Sequence, residues 1–337
     1  MVKFGLVYDF RNPVQWRRPW RDFYAETLEH ITAVETMGFD TVWLTEHHFV
    51  DDGYLPSITA MAGAVAARTR KVTIGIGSVL LLPLHHPLRV AEDAAVLDIV
   101  SGGRVRLGAA LGYVPDEFRA FGVERRHRAS IFEEAIEVIR KAWSPSAIQH
   151  EGRHWQLPNV EVHPKPLQQG GPPIYIGGRS EKPIRRAARI GDGAIVDAAH
   201  LDWYYDELRR TGREGKAAAC VYVLSAPAHD PEAAVQRYGQ HFGYRMEEYA
   251  KWYGEAADLP SDVMILEMLR DERGPEGEGV VIPAPFVTAD QMITELQSLA
   301  DKGATEVWWF ASYPGLAPTE TLATWQLLAD EVIPHFR

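Results

Sequence analysis

Short apolar runs alternate with longer amphipathic stretches along almost the whole chain. KFGLVYD (3–9) reads as a strand. FYAETLEHITAVETMG (23–38) reads as a helix, with Leu28, Ile31, Val34 and Met37 recurring at spacings of three and Gly38 supplying the stop. The pattern then repeats. Strands are expected at 39–44, 71–79, 104–110, 172–178, 192–198, 217–225 and 305–312, and helices at about 56–70, 88–100, 129–143, 181–190 and 290–302.

Eight such alternations predict parallel strands, because each crossover is long enough to hold a helix. An α/β fold of the (β/α)8 TIM-barrel type, one domain over residues 1–337, is the economical arrangement. A doubly wound sheet is the competitor, and it would be favoured by a phosphate fingerprint after the first strand, which FGLVYDF lacks. Two stretches break the alternation. Residues 145–171 are rich in Pro, Gly and Gln. Residues 226–288 hold helical pieces at 231–253 and 261–271 around GPEGEG (274–279), the largest insertion, late in the barrel and placed to cap its C-terminal mouth.

Composition narrows the function classes. With 46% hydrophobic and 24% charged residues, the chain matches an ordinary soluble globular protein. A formal net charge of −11 gives no electrostatic footprint for nucleic acid or an anionic membrane. One cysteine, Cys220, excludes an intrachain disulfide framework and suits a reducing cytoplasm. The N-terminal residues carry no signal-like apolar region, and no apolar run is long enough to span a bilayer, so a cytoplasmic location is expected.

In a barrel of this kind the site lies on the loops after the strands. The residues there are Asp9, Arg11 and Asn12; Glu46, His47 and His48; Gly75, Gly77 and Ser78; Gly112, Tyr113 and Glu117; Gly177, Gly178, Arg179 and Ser180; and Ser312 and Tyr313. The histidine pairs 47–48 and 85–86 are adjacent, so neighbours in each pair would diverge, and no Cys cluster or HExxH helix is present. A metal site is therefore not expected. GIGSVL (75–80) lacks the third glycine of a dinucleotide loop. IGGRSEKPIRRAARIG is more informative, because Gly177–Gly178 followed by Ser180 at a helix start suits an anion such as phosphate. Arg179 or Arg128 would supply cationic support, while Ser180 alone would equally serve as an N-cap. His85 and His86 precede Pro87 at a helix start and read as structural. Trp308 and Trp309, adjacent on a strand, must face opposite sides.

GFDTVWLTEHHF, the run HPLRVAEDAAVLDIVSGGRVRLG (86–108), DEFRAFGV (116–123) and PPIYIGGRS…AARIGDG (172–193) together resemble the bacterial luciferase-like superfamily of flavin-dependent oxidoreductases. The resemblance implies a (β/α)8 barrel that holds reduced FMN, or in another branch the deazaflavin F420, at its C-terminal mouth. It implies an FMN- and O2-dependent monooxygenase acting on a small organic substrate through a flavin C4a-peroxide, with a separate flavin reductase and a homodimeric assembly. By the match His47 is the catalytic-histidine candidate, with Glu46 and His48 beside it. Glu117 falls at an acidic flavin contact, Arg128 and Ser180 at phosphate contacts, and Gly77–Ser78 at a non-proline cis bond. The luciferases' reactive Cys and phosphate-binding Arg after the fourth strand are replaced by Ala110 and Leu111, so light emission with a long-chain aldehyde is not implied. The Gly177–Ser180 loop is at home in F420 enzymes too. The EHHF element leans toward FMN, and an F420-dependent dehydrogenase or a non-catalytic flavin-binding protein are the alternatives.

Overall fold

A computed structural model describes residues 1–255 and 284–337, and for Ser78, Val79, Ala250 and 253–255 only the backbone. Eight parallel strands close into a barrel: β1 (Lys3–Tyr8), β2 (Thr41–Thr45), β3 (Thr73–Leu81), β4 (Val105–Ala110), β7 (Ile174–Gly177), β8 (Gly193–Ile195), β9 (Ala219–Tyr222) and β12 (Glu306–Phe310). These are the eight expected strands, and closure of β1 on β12, pairing Gly5 with Trp308, excludes the doubly wound sheet. Helices α1 (Trp20–Thr36), α2 (Ile58–Arg68), α3 (Pro87–Ser101), α5 (Arg128–Trp143), α6 (Glu181–Ile190), α7 (Leu201–Thr211) and the helix Ala289–Asp301 fill the crossovers. Gly38 follows α1 at φ +90°, a left-handed turn that a side chain would strain, and this ends the helix and starts β2.

The outer core lies between strands and helices. A second cluster, with Val7, Trp43, Tyr175, Ile195, Cys220 and Trp308, fills the barrel itself. Trp308 points inward, while Trp309 packs outward against Trp325, as alternation on a strand requires. The indoles fit because glycine faces them: a Cβ at Gly75 would come within 1.9 Å of the Trp43 ring. Cys220 is fully buried on β9, and burial pushes its thiol up, so it is an inert core residue.

Neither excursion breaks the barrel. Residues 148–160, expected to be irregular, form an antiparallel hairpin of β5 (Ile148–Glu151) and β6 (Gln156–Val160) outside it. The late insertion is clasped at its base by β10 (Ala226–Pro227) and β11 (Phe286–Val287), which pair in parallel. From that clasp α8 (Pro231–Glu255) crosses the mouth. The expected helix at 261–271 and GPEGEG lie outside the described residues. Among the described residues, no helix is long and apolar enough to cross a membrane.

Candidate active site

β2 ends at Thr45, and the strand's period of two separates the three residues that follow it. His47 turns toward the barrel mouth, and Glu46 and His48 turn the other way, onto the β3–α3 connection. Glu46 and His47 are each 1% exposed. Among the described residues, two non-glycine residues adopt positive-φ backbone, Phe10 just past β1 and Phe49 just past β2, both with φ 60°. Such strain costs on the order of 1–3 kcal/mol and persists where the surroundings impose it, and here it marks the site's edge.

His47 is held on both ring nitrogens. Its Nδ1 lies 2.9 Å from Glu117 Oε1, and the same oxygen accepts the His48 backbone N–H at 2.9 Å. Glu117 stands in the first turn of the short helix α4 (Pro115–Ala120) and is 1% exposed. A carboxylate only accepts, so Nδ1 carries a proton in this bond. Tyr113 Oη sits 3.2 Å from Nε2, and burial pushes that phenol well above its ordinary range, so it stays an O–H donor to the imidazole. The result is an imidazole oriented through both ring nitrogens.

The wall around His47 is aromatic. Tyr54 and Tyr113 meet its ring edge-on at 4.9 and 5.4 Å, and Trp252 of α8 covers it at 4.3 Å. α8 places Arg245, Tyr249 and Trp252 on one face and lowers them into the mouth. Arg245 Nε donates to Asp9 Oδ2 at 3.1 Å, and the Tyr249 and Tyr54 hydroxyls are 2.9 Å apart. Arg11 is fully enclosed, paired with Asp52 and stacked under the Tyr54 and Trp252 rings at 4.7 and 4.8 Å. Reading the sequence missed Tyr54, Asp52 and the α8 face. The i, i+4, i+7 spacing of Arg245, Tyr249 and Trp252 was the available signal.

The remaining rim residues fall where the strand ends put them. Gly177 closes β7, Gly178 donates its N–H to Ile195 O at 3.0 Å, and Ser180 is the N-cap of α6 with no side-chain cap bond. Arg179 Nε pairs with Asp197 at 3.2 Å. Arg128 opens α5, and Arg186 of α6 binds Glu133 of α5 at 2.5 Å. Gly77 has φ +79° at the β3 irregularity. The Ser78 side chain and the Gly77–Ser78 bond lie outside what the structure describes.

A flavin fits this chemistry. Glu117 Oε2 and Arg11 Nε and Nη2 are buried without hydrogen-bond partners among the described residues, and such atoms are stabilised by a polar ring edge. Arg128 at the start of α5 and Ser180 at the start of α6 are residue types that suit a phosphate. In the resemblance Glu117 is a flavin contact. In the structure one of its oxygens is already engaged by His47 and the His48 N–H, which leaves Oε2 for any such contact.

A polar, aromatic-walled site at the C-terminal mouth of a parallel barrel lies where barrel enzymes carry their active sites. The sequence profile of the luciferase-like monooxygenases matches residues 2–305, and the chain belongs to that family. It is 32% identical over 224 residues to an alkanal monooxygenase alpha chain of Photorhabdus laumondii, covering 64% of this chain and 62% of that one. To an F420-dependent glucose-6-phosphate dehydrogenase of Amycolatopsis mediterranei it is 28% identical over 201 residues, covering 58% and 60%. The chain spans 49% to 62% of the length of the curated relatives it matches. The crystal structure of the monooxygenase RslO1 from Streptomyces bottropensis superposes with a TM-score of 0.81 over 100% of both chains at 23% identity, a likeness of fold.

Proposed function

We propose that this protein is a flavin-dependent monooxygenase that uses reduced FMN and O2 to oxidise a small organic substrate, with His47 as the proton carrier. The observation that carries the reading is the Glu117–His47–Tyr113 chain, which holds the imidazole by both ring nitrogens in an aromatic-walled mouth. Bound reduced flavin would supply the electrons that activate O2. Arg128, Ser180 and Arg179 would hold its phosphate, with Gly177–Gly178 allowing the backbone to approach, and Glu117 Oε2 would meet its ring. Gly77 and Ser78 lie within β3, at the irregularity in its pairing with β4. Every other task belongs to this chain: Tyr54, Tyr113 and Trp252 exclude water, Glu117 orients the imidazole, and Nε2 takes or returns a proton.

FMN is favoured over F420 by the EHHF element, and O2 as co-substrate by the likeness to the alkanal monooxygenase. The Gly177–Ser180 loop and the likeness to the F420-dependent dehydrogenase support the second reading, hydride exchange with F420 without O2. The missing dinucleotide loop supports a separate flavin reductase as partner. Val96, Ile99 and Val100, exposed on α3 at helical spacing, support a homodimer. Titrating the apo-protein with reduced FMN and with reduced F420, while following O2 uptake, tests the reading. Saturable FMN binding with O2 consumption is expected. Binding of F420 alone would overturn it, and flavin binding with no turnover on any substrate would leave only a carrier.

A further inference from the structure

Behind β2, on the side away from His47, three ligand-type atoms converge. The period of two that sends His47 into the mouth sends Glu46 and His48 together onto the β3–α3 connection, which delivers His85 to them. Glu46 Oε1 lies 3.0 Å from His85 Nε2 and 3.2 Å from His48 Nε2. Among the described residues this is the one group whose ligand atoms all lie within 4.8 Å of one another. We propose that Glu46, His48 and His85 bind a divalent transition-metal ion of the Zn2+ class, clamping the end of β2 to the β3–α3 connection.

The hydrogen bonding of the cluster argues for a cation. Glu46 is anchored at Oε2 by the Leu81 N–H at 2.8 Å, and Oε1 accepts from His85. His48 Nε2 comes as close to Oε1 but off the line of a hydrogen bond. It pulls on the carboxylate electrostatically, yet it is a buried nitrogen without a hydrogen-bond partner on a side chain 9% exposed. The rest of that ring packs against Phe49 and Phe121, so the nitrogen is the ring's single polar commitment on this side. A native chain seldom leaves such an atom buried without a role. Three ligand-type atoms within 4.8 Å of one another are explained by an ion between them, which would take the place of the proton His85 shares with Glu46.

Distance and chemistry agree. Around a tetrahedral ion with bonds of about 2.0–2.1 Å, ligand atoms stand about 3.3 Å apart, close to both separations here. Two imidazoles and a carboxylate suit zinc and its neighbours, whereas Mg2+ and Ca2+ demand oxygen. The Leu81 N–H on Glu46 is the supporting bond expected outside a ligand shell. Beside His85 a cavity of about 90 Å³, bordered by Ser57, Thr59, Arg89 and Asp93, has room for about three waters to complete the coordination. Arg89 and Asp93 pair at 2.9 Å and cancel, leaving the Glu46 charge for the ion.

The site is independent of the flavin reading. Its test uses the full-length protein, stripped with a chelator and titrated with Zn2+ by calorimetry, then with Co2+ followed by visible absorption. One Zn2+ per chain and an intense tetrahedral Co2+ band that Zn2+ displaces are expected. His48→Gln and His85→Gln should each weaken binding at least tenfold, while His86→Gln, on the exposed neighbour, leaves it unchanged. The proposal is overturned if the wild type shows no saturable binding. It is equally overturned if Co2+ gives only a weak octahedral spectrum, a readout that needs no variant to fold, or if affinity survives in the His48→Gln, His85→Gln double variant.

Discussion

His47 Nδ1 and Glu117 Oε1 meet at 2.9 Å across 70 residues of sequence, and the same carboxylate oxygen holds the backbone of His48. One carboxylate therefore sets both the tautomer of the imidazole and the path of the loop that carries it. Glu117→Ala is expected to lower kcat by about 100-fold or more, since a misoriented general base forfeits a factor of about 10²–10⁴. Fold stability should fall by about 1–3 kcal/mol, because the His48 N–H loses its acceptor. Steady-state turnover with enzymatically supplied reduced FMN, beside urea unfolding, separates the two effects. Unchanged turnover would sink the proposed role of Glu117.

Tyr113 is the remaining partner of the imidazole, through Nε2 at 3.2 Å. Tyr113→Phe keeps the aromatic wall and removes the O–H. Its expected effect is a change in kcat larger than any change in unfolding midpoint. If the variant instead loses flavin binding with kcat intact, Tyr113 belongs to the cofactor rather than to His47.

At the opposite, N-terminal end of the barrel, Glu306 accepts from Thr41 Oγ1, Trp43 Nε1 and Trp308 Nε1 and pairs with Arg106 Nη1 at 2.6 Å. Glu306→Ala strands the Arg106 charge inside the barrel. A loss of about 3–5 kcal/mol is expected in denaturant unfolding. Replacing both partners, Glu306→Leu with Arg106→Met, should recover most of it, and failure to recover would mean that the three donors matter more than the charge.

His30 supplies a pH dependence. The Tyr8 hydroxyl donates to Nδ1 at 2.9 Å, and the Nε2–H reaches Thr321 Oγ1 at 3.2 Å, so the ring is bonded in its neutral form. Burial lowers its pKa to about 3, below the unfolded value of about 6.5. The unfolded chain therefore binds the extra proton first. His30 contributes stability above about pH 6.5 that is lost as pH falls toward 3, with a limiting slope of about 1.4 kcal/mol per pH unit. Urea unfolding at pH 7 and pH 5 should show the decline, and His30→Gln should flatten it.

The exposed face of α3 gives the last prediction. Val100 is 55% exposed beside Val96 and Ile99. If this face is the dimer interface, Val100→Glu will shift the protein from dimer to monomer in analytical ultracentrifugation without altering its circular dichroism. A wild-type monomer would remove the proposal.

The eight strands and most helices were legible because side-chain periodicity is a local property of the backbone, and the pattern runs from 3–9 to 305–312. The hairpin at 148–160 was not, since Pro, Gly and polar residues mask a strand pattern that only the pairing of Ile148 with Val160 makes regular. His47 was found from its position after β2 and from the resemblance. Glu117 and Tyr113 were placed on the same rim, but their bonds to His47, and the cover of Trp252, were not legible, because these residues reach it from other loops and helices. Position in sequence carries no distance between such elements.

The histidines show the division most clearly. That adjacent rings on a strand end diverge follows from a period of two, and the sequence by itself determined it: His47 and His48 do face opposite ways. Which group each then meets was decided by barrel closure, which sets β3 beside β2 and turns Leu81–His85 back over Glu46. Divergence within a pair is local geometry. Convergence of His48 with His85 needs the packing of two strands and a helix, and no run of residues encodes that without the folded chain.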